Sequence, residues 1–225
     1  MTWRAVFAFV LVVMIAASIG MAVAAVERSP GWFLHPGAPA FLMETLFALV
    51  VYAGAIVVIV ANRGEEWDVE LRNAAIFGGV AGLVELINVA LQSSAKISPP
   101  GLQLAGMLAI LALWGMAGVR TARELHHFRP GVAAAVMSAG VCMVIAVTAG
   151  FTLELFIAPP QPDYVATWAE FKRSGWLDAQ AFATANTLAS GFTRLYLGPI
   201  TAVFVGCVGA WIGKNQKAPS EDVSS

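Results

Sequence analysis

Six apolar stretches, at about 4–25, 41–61, 72–93, 102–120, 131–157 and 190–213, are each long enough to cross a bilayer and carry few charges. A hydrocarbon core of about 30 Å takes roughly 20 helical residues. Inside it no water satisfies free backbone groups, so a spanning segment is either a helix or a strand of a closed barrel. The six stretches lack the strict alternation of barrel strands. They predict an all-α, polytopic membrane helix bundle with six transmembrane helices. A chain that is 59% hydrophobic and 12% charged is also too apolar for a water-soluble globule. With a net charge of −1 and no long run of one sign, it offers no basic surface for nucleic acid.

The first stretch begins with a positive segment, Met1–Arg4, and ends in small residues at MAVAA, as a secretory signal does. Its apolar part, Ala5 to Val26, exceeds the usual core of such signals, about 7–15 residues, so a retained span is expected. SPPG at 98–101 and PPQP at 159–162 cannot continue a helix and close spans three and five. Tyr164, Trp168 and Phe171 recur at helical spacing and predict a short amphipathic helix at the outer interface. Ser174-Gly175 then breaks it before a helix that starts near Leu177 and runs into span six.

Lys and Arg in the loops orient such a bundle, because positive residues stay on the cytoplasmic side. With the N-terminus inside, that side carries Arg4, Arg63, Arg72, Arg120, Arg123, Arg129, Lys214 and Lys217. The other side carries Arg28, Lys96, Lys172, Arg173 and Arg194. Both termini are therefore expected in the cytoplasm. The organisation expected is two N-terminal spans (1–62), a four-helix unit (63–214) with its outer segment at 163–186, and a polar tail (215–225). Gly78-x-x-x-Gly82 and Gly209-x-x-x-Gly213 mark faces where backbones approach closely. Packing within the chain is their expected use; as partners they leave a membrane protein or a second copy, beside the bilayer itself.

Glu85 is the residue that fits this picture least comfortably. Thirteen residues beyond Arg72, it lies about 20 Å up span three, in the outer half of the bilayer. Asn88 and Gln92 follow it at helical spacing on the same face. A charge near the bilayer centre costs roughly 2.5–3.5 kcal/mol on insertion scales, so this carboxylate should face the bundle and pair, or be protonated. Glu44 at the start of span two, Glu154 near the end of span five and Arg194 near the start of span six fall on the same outer side. Arg194 is the best partner for Glu85 or Glu154. The candidate ligand-binding set is Glu85, Asn88, Gln92, Thr152, Glu154, Asn186, Thr187 and Arg194.

Catalytic signatures are missing: there is no GxSxG, HExxH or P-loop. Cys142 and Cys207 lie in apolar runs without CxxC spacing and read as small hydrophobes. His126-His127, neighbours that diverge by about 100° on a helix, are expected to complement the end of span four rather than bind metal. No catalytic residue, metal or cofactor is expected.

From about Leu71 to Lys214 the order of features resembles an uncharacterised family of small bacterial membrane proteins, known only as a domain of unknown function. The matching parts are 78-GGVAGL-83, GMAGVRTAREL at 115–125, the long span five, FKRSGWLDAQAFATAN at 171–186 and the last span at 190–214. Spans one and two would be an N-terminal addition. The resemblance implies a four-helix unit in the bacterial cytoplasmic membrane and no activity.

Two functional readings remain open. One is a non-enzymatic integral membrane protein, an accessory subunit or a protein acting alone, with a closed polar cluster on its outer side. The other is a small-solute or proton-coupled transporter with Glu85 as the titrating group. That reading requires an outer cavity reaching Glu85 and a path toward Arg120–Arg129.

Overall fold

The computed structural model describes residues 3–61, 65–94 and 100–216. Arg63, Lys96, Lys217, Ser98 and Pro99 of the SPPG turn and most of the polar tail lie outside these residues. Six long helices, and among the described residues no strand, carry the apolar stretches: α1 (Trp3–Arg28), α2 (Ala38–Ala61), α3 (Glu65–Ser94), α4 (Pro100–Leu125), α5 (Phe128–Phe151) and α8 (Ala179–Asn215). Each contains a segment long and apolar enough to cross a membrane. The fold is an all-α helix bundle, as the hydrophobic runs require.

Helix α5 is central and packs on α3, α4 and α8, with α1 and α2 applied to one side. Glycines explain how closely these helices meet. A Cβ at Gly78 would lie 2.6 Å from the Ser138 carbonyl oxygen, and one at Gly82 would lie 2.6 Å from Ile145 Cδ1, so α3 is seated directly on α5. At Gly209 and Gly213 a Cβ would come within 2.3 and 2.2 Å of the Gly115 and Val119 carbonyl oxygens, so α8 and α4 touch backbone to backbone. Both small-residue faces noted in the sequence are thus filled within one chain.

Helix α8 contains Pro199, whose missing N–H leaves the Leu195 carbonyl without its usual donor. Tyr52 on α2 supplies one: its hydroxyl donates to the Leu195 oxygen at 2.5 Å. Thr45, two turns earlier on the same face of α2, donates to the Leu188 oxygen at 2.8 Å. Two hydroxyls thereby pin α2 to backbone that hydrocarbon cannot satisfy. Tyr52→Phe is expected to lower stability by about 1 kcal/mol, the scale of polar contacts between membrane helices. Thermal melting in detergent reads this out, with Tyr164→Phe, an exposed tyrosine, as the unaffected control.

At the end of the bundle that carries Arg72 and Arg120 the α4–α5 connection is tight. His126 takes a left-handed conformation (φ 54°), the position that usually closes a helix, and His127 is extended and precedes α5. Glu124 accepts from Arg72 at 2.7 Å and from Arg120 at 2.9 Å, tying α3 to α4. Arg4 on α1 pairs with Asp68 on α3.

The outer segment differs from the single amphipathic helix expected around Tyr164, Trp168 and Phe171. It forms two short helices, α6 (Pro162–Val165) and α7 (Ala169–Ser174). Thr167 Oγ1 donates to the Tyr164 carbonyl oxygen at 2.6 Å, and Trp168 is extended (ψ 135°), which ends the first turn. Trp168 and Phe171 still pack inward against Phe182, whereas Tyr164 is exposed. Gly175, at φ 76°, closes α7, and Asp178 caps α8 by accepting from the Gln180 and Ala181 amides. Gly31 has room for no side chain because Asp178 fills the space beside it.

Candidate functional site

Polar residues are gathered where α3, α5 and α8 meet, at the end of the bundle away from Arg72 and Arg120. Glu85 on α3 pairs with Arg194 on α8, Nη1 to Oε1 at 3.4 Å, and Asn88 Nδ2 donates to Glu85 Oε2 at 3.4 Å. Both contacts are long, and the side chains are 18% and 31% exposed for Glu85 and Arg194. The pair is therefore loose and accessible rather than sealed in the core.

Glu154 lies in a π-helical turn, Thr152–Ile157, that continues α5 to its outer end. The wider turn lets Ala158 N–H reach back to the Leu153 oxygen at 2.7 Å. Thr187 Oγ1 on α8 donates to Glu154 Oε2 at 3.0 Å. Arg194, Glu154, Thr187 and Ser190 share a crevice of about 10 Å³, the space of a single water. Arg194 is thus paired with Glu85 on α3 and shares this crevice with Glu154 at the end of span five.

Thr152 and Asn186 do not join this cluster. Thr152 donates to the Thr148 oxygen at 2.7 Å and lies against Met21 Sδ, so it faces α1. Asn186 is exposed, because one helical step from Thr187 turns its side chain by about 100° away from Glu154. Gln92 belongs to α3, and its side chain lies outside the described residues. Glu44 is exposed on α2.

On the other side of Arg194 a cleft of about 380 Å³ opens between α3, α4 and α8. Glu85, Asn88, Gln103, Thr193 and Arg194 line its outer part, and Met107, Ile110, Trp114 and Leu197 line it toward the bilayer centre. Helix periodicity builds these walls: Gln103, Met107, Ile110 and Trp114 recur every three to four residues on α4, as do Arg194, Leu197 and Thr201 on α8. The shape follows from the glycines. Where Gly115 and Val119 meet Gly209 and Gly213, α4 and α8 touch; the cleft opens further along the same two helices, toward Gln103 and Arg194. Gly106 on α4 leaves the space that the Asn88 amide occupies, since a Cβ there would lie 2.3 Å from Asn88 Nδ2.

Gln103, Thr193 and Thr201 were not among the residues anticipated from the sequence. The signal available was the helical spacing of Gln103 with Met107, Ile110 and Trp114, which places a polar residue at the head of an apolar stripe. The two threonine hydroxyls each donate to the carbonyl four residues earlier, at 3.0 and 2.9 Å, and keep lone pairs free.

Chemically the cleft offers a carboxylate, a guanidinium and two carboxamides above an apolar wedge. Among the described residues no three His, Cys, Asp or Glu side chains are grouped to hold a metal. The chain matches no protein-family model, no curated protein and no solved structure.

Proposed function

We propose that the chain is a non-enzymatic multi-pass protein of the bacterial cytoplasmic membrane, with both termini in the cytoplasm, that holds a small amphiphile in its outer-side cleft. The polarity gradient of the cleft carries the reading. Charged and amide groups sit at the outer mouth, and an apolar wedge descends between α4 and α8 toward the bilayer centre. A ligand with a polar head and a short apolar body matches both ends, because few groups of fixed position set orientation while apolar walls supply contact area. The orientation rests on Arg4, Arg72, Arg120, Arg123, Arg129 and Lys214, which share one end of the bundle.

A subunit that merely uses its polar residues to hold helices together is expected to close the cluster. Here the cleft touches both members of the Glu85–Arg194 pair, which favours binding. The transport reading also has an observation in its favour: a groove of about 580 Å³ at the inner end, lined by Phe77, Met116, Arg120 and Glu124, lies on the same α3–α4 pair.

Leu197→Trp, which fills the wedge without touching Glu85, tests the binding reading. Wild-type protein purified in mild detergent is expected to retain a small amphiphile, detected by mass spectrometry of the extract, that the Leu197→Trp protein lacks. Identical small molecules in both extracts would remove the binding reading.

A further inference from the structure

A second recess lies at the inner end of the bundle, far from the outer cleft. It encloses about 620 Å³ among α3, α5 and α8, and is lined by Trp67, Glu70, His127, Phe128, Arg129 and Lys214. That volume falls within the roughly 300–1,000 Å³ usual for small-molecule sites.

Arg4, Arg72 and Arg120 at this end are each paired with a carboxylate. Arg123, Arg129 and Lys214 are exposed and appear in none of the ion pairs among the described residues, and of these three Arg129 and Lys214 both line this recess. Arg129 comes from the first turn of α5 and Lys214 from the last turn of α8, so two elements converge their cations on one recess. Lys214 also offsets the negative end of the α8 dipole there. Glu70, 5% exposed, forms part of the wall. Two cations against one carboxylate line the recess, an excess of positive charge suited to an anionic headgroup. Trp67 and Phe128 line the recess beside the cations, and Trp prefers the depth of the headgroups.

We propose that this recess binds the phosphate of an acidic phospholipid, with Arg129 and Lys214 as its cationic contacts. Basic pockets between membrane helices recognise acidic headgroups in this way. A neutral or zwitterionic headgroup gains nothing from the excess positive charge. Free phosphate shares the charge but lacks the acyl chains that deliver the group to this depth.

The full chain in neutral detergent, titrated with dioleoylphosphatidylglycerol or dioleoylphosphatidylcholine and followed by native mass spectrometry, tests the assignment. One phosphatidylglycerol per chain is expected, preferred over phosphatidylcholine by roughly tenfold or more. Arg129→Gln with Lys214→Gln should abolish the preference while the melting temperature without lipid stays that of wild type. Arg129→Lys with Lys214→Arg should keep it. Equal retention of the two lipids, or a preference unchanged in the glutamine double variant, would overturn the proposal. So would millimolar inorganic phosphate displacing the lipid completely, since the ligand would then be the free anion.

Discussion

Gly209→Val is expected to be among the most damaging single substitutions in this protein. Its Cβ alone would stand 2.3 Å from the Gly115 oxygen and 3.1 Å from the Gly115 carbonyl carbon, both backbone atoms of α4. A flexible side chain could rotate out of the way; a helix backbone cannot, so α4 and α8 must separate along the seam. Lipid tails are as apolar as the side chains they would replace, so no hydrophobic force draws the separated helices together again. Overpacking of this kind costs about 1–3 kcal/mol or more, and Gly213→Val should behave alike because it meets the Val119 oxygen at 2.2 Å. The folded yield and the melting temperature in detergent should both fall. Gly54→Ala and Gly79→Ala, where an added Cβ meets nothing within 4 Å, should melt with the wild type or slightly above it. If Gly209→Val melted with those controls, the close seam between α4 and α8 would not exist in the folded protein. Because that seam forces the helices together below the cleft, its loss should also release whatever the cleft retains.

The spans and the pairing of small-residue faces were legible in the sequence because each is a local property. Length and apolarity identify a span without reference to its neighbours, and a glycine repeat identifies a close contact without saying with what. Relations between helices were less legible. Depth alone made Arg194 a partner for Glu85 or Glu154; only packing gives it a contact with Glu85 and a crevice shared with Glu154. Thr152 and Glu154, two residues apart, point to nearly opposite faces, toward α1 and α8 respectively, and depth alone had grouped them together. Gln103 has no polar neighbour on its own helix face and acquires a role only because α8 diverges from α4 at that depth. The outer part of α8 hides for another reason. At about 55 Å the helix exceeds the bilayer, so its first turns follow the rules of soluble helices, an Asp178 cap and an inward Phe182, rather than those of hydropathy.

Glu85→Gln alone is expected to cost little, and together with Glu154→Gln to cost a great deal. A variant that strips the counter-charges of the Arg194 guanidinium leaves an uncompensated cation among the apolar helices. With Glu85 replaced, Glu154 remains across a crevice of about 10 Å³, and the carboxamide oxygen introduced on α3 can still accept from the guanidinium. With Glu154 replaced, the Glu85 contact at 3.4 Å remains. Each single variant should therefore lose about 1 kcal/mol, whereas the double variant should lose more than both together, short of the roughly 3–5 kcal/mol of a fully buried stranded charge because Arg194 is 31% exposed. Residues sharing one partner are not additive, and adding Arg194→Gln to the double variant should recover much of the loss. Melting of the four proteins in the same detergent measures this. If Glu85→Gln by itself lost as much as the double variant, Glu154 would be no partner to Arg194 and the crevice between them would have no electrostatic role. The same single variant separates binding from proton-coupled transport. A chain that binds an amphiphile should show no proton uptake in vesicles, whether or not Glu85 is present. Uptake by the wild type that disappears in a stably folded Glu85→Gln protein would make the carboxylate a titrating group and favour the transporter.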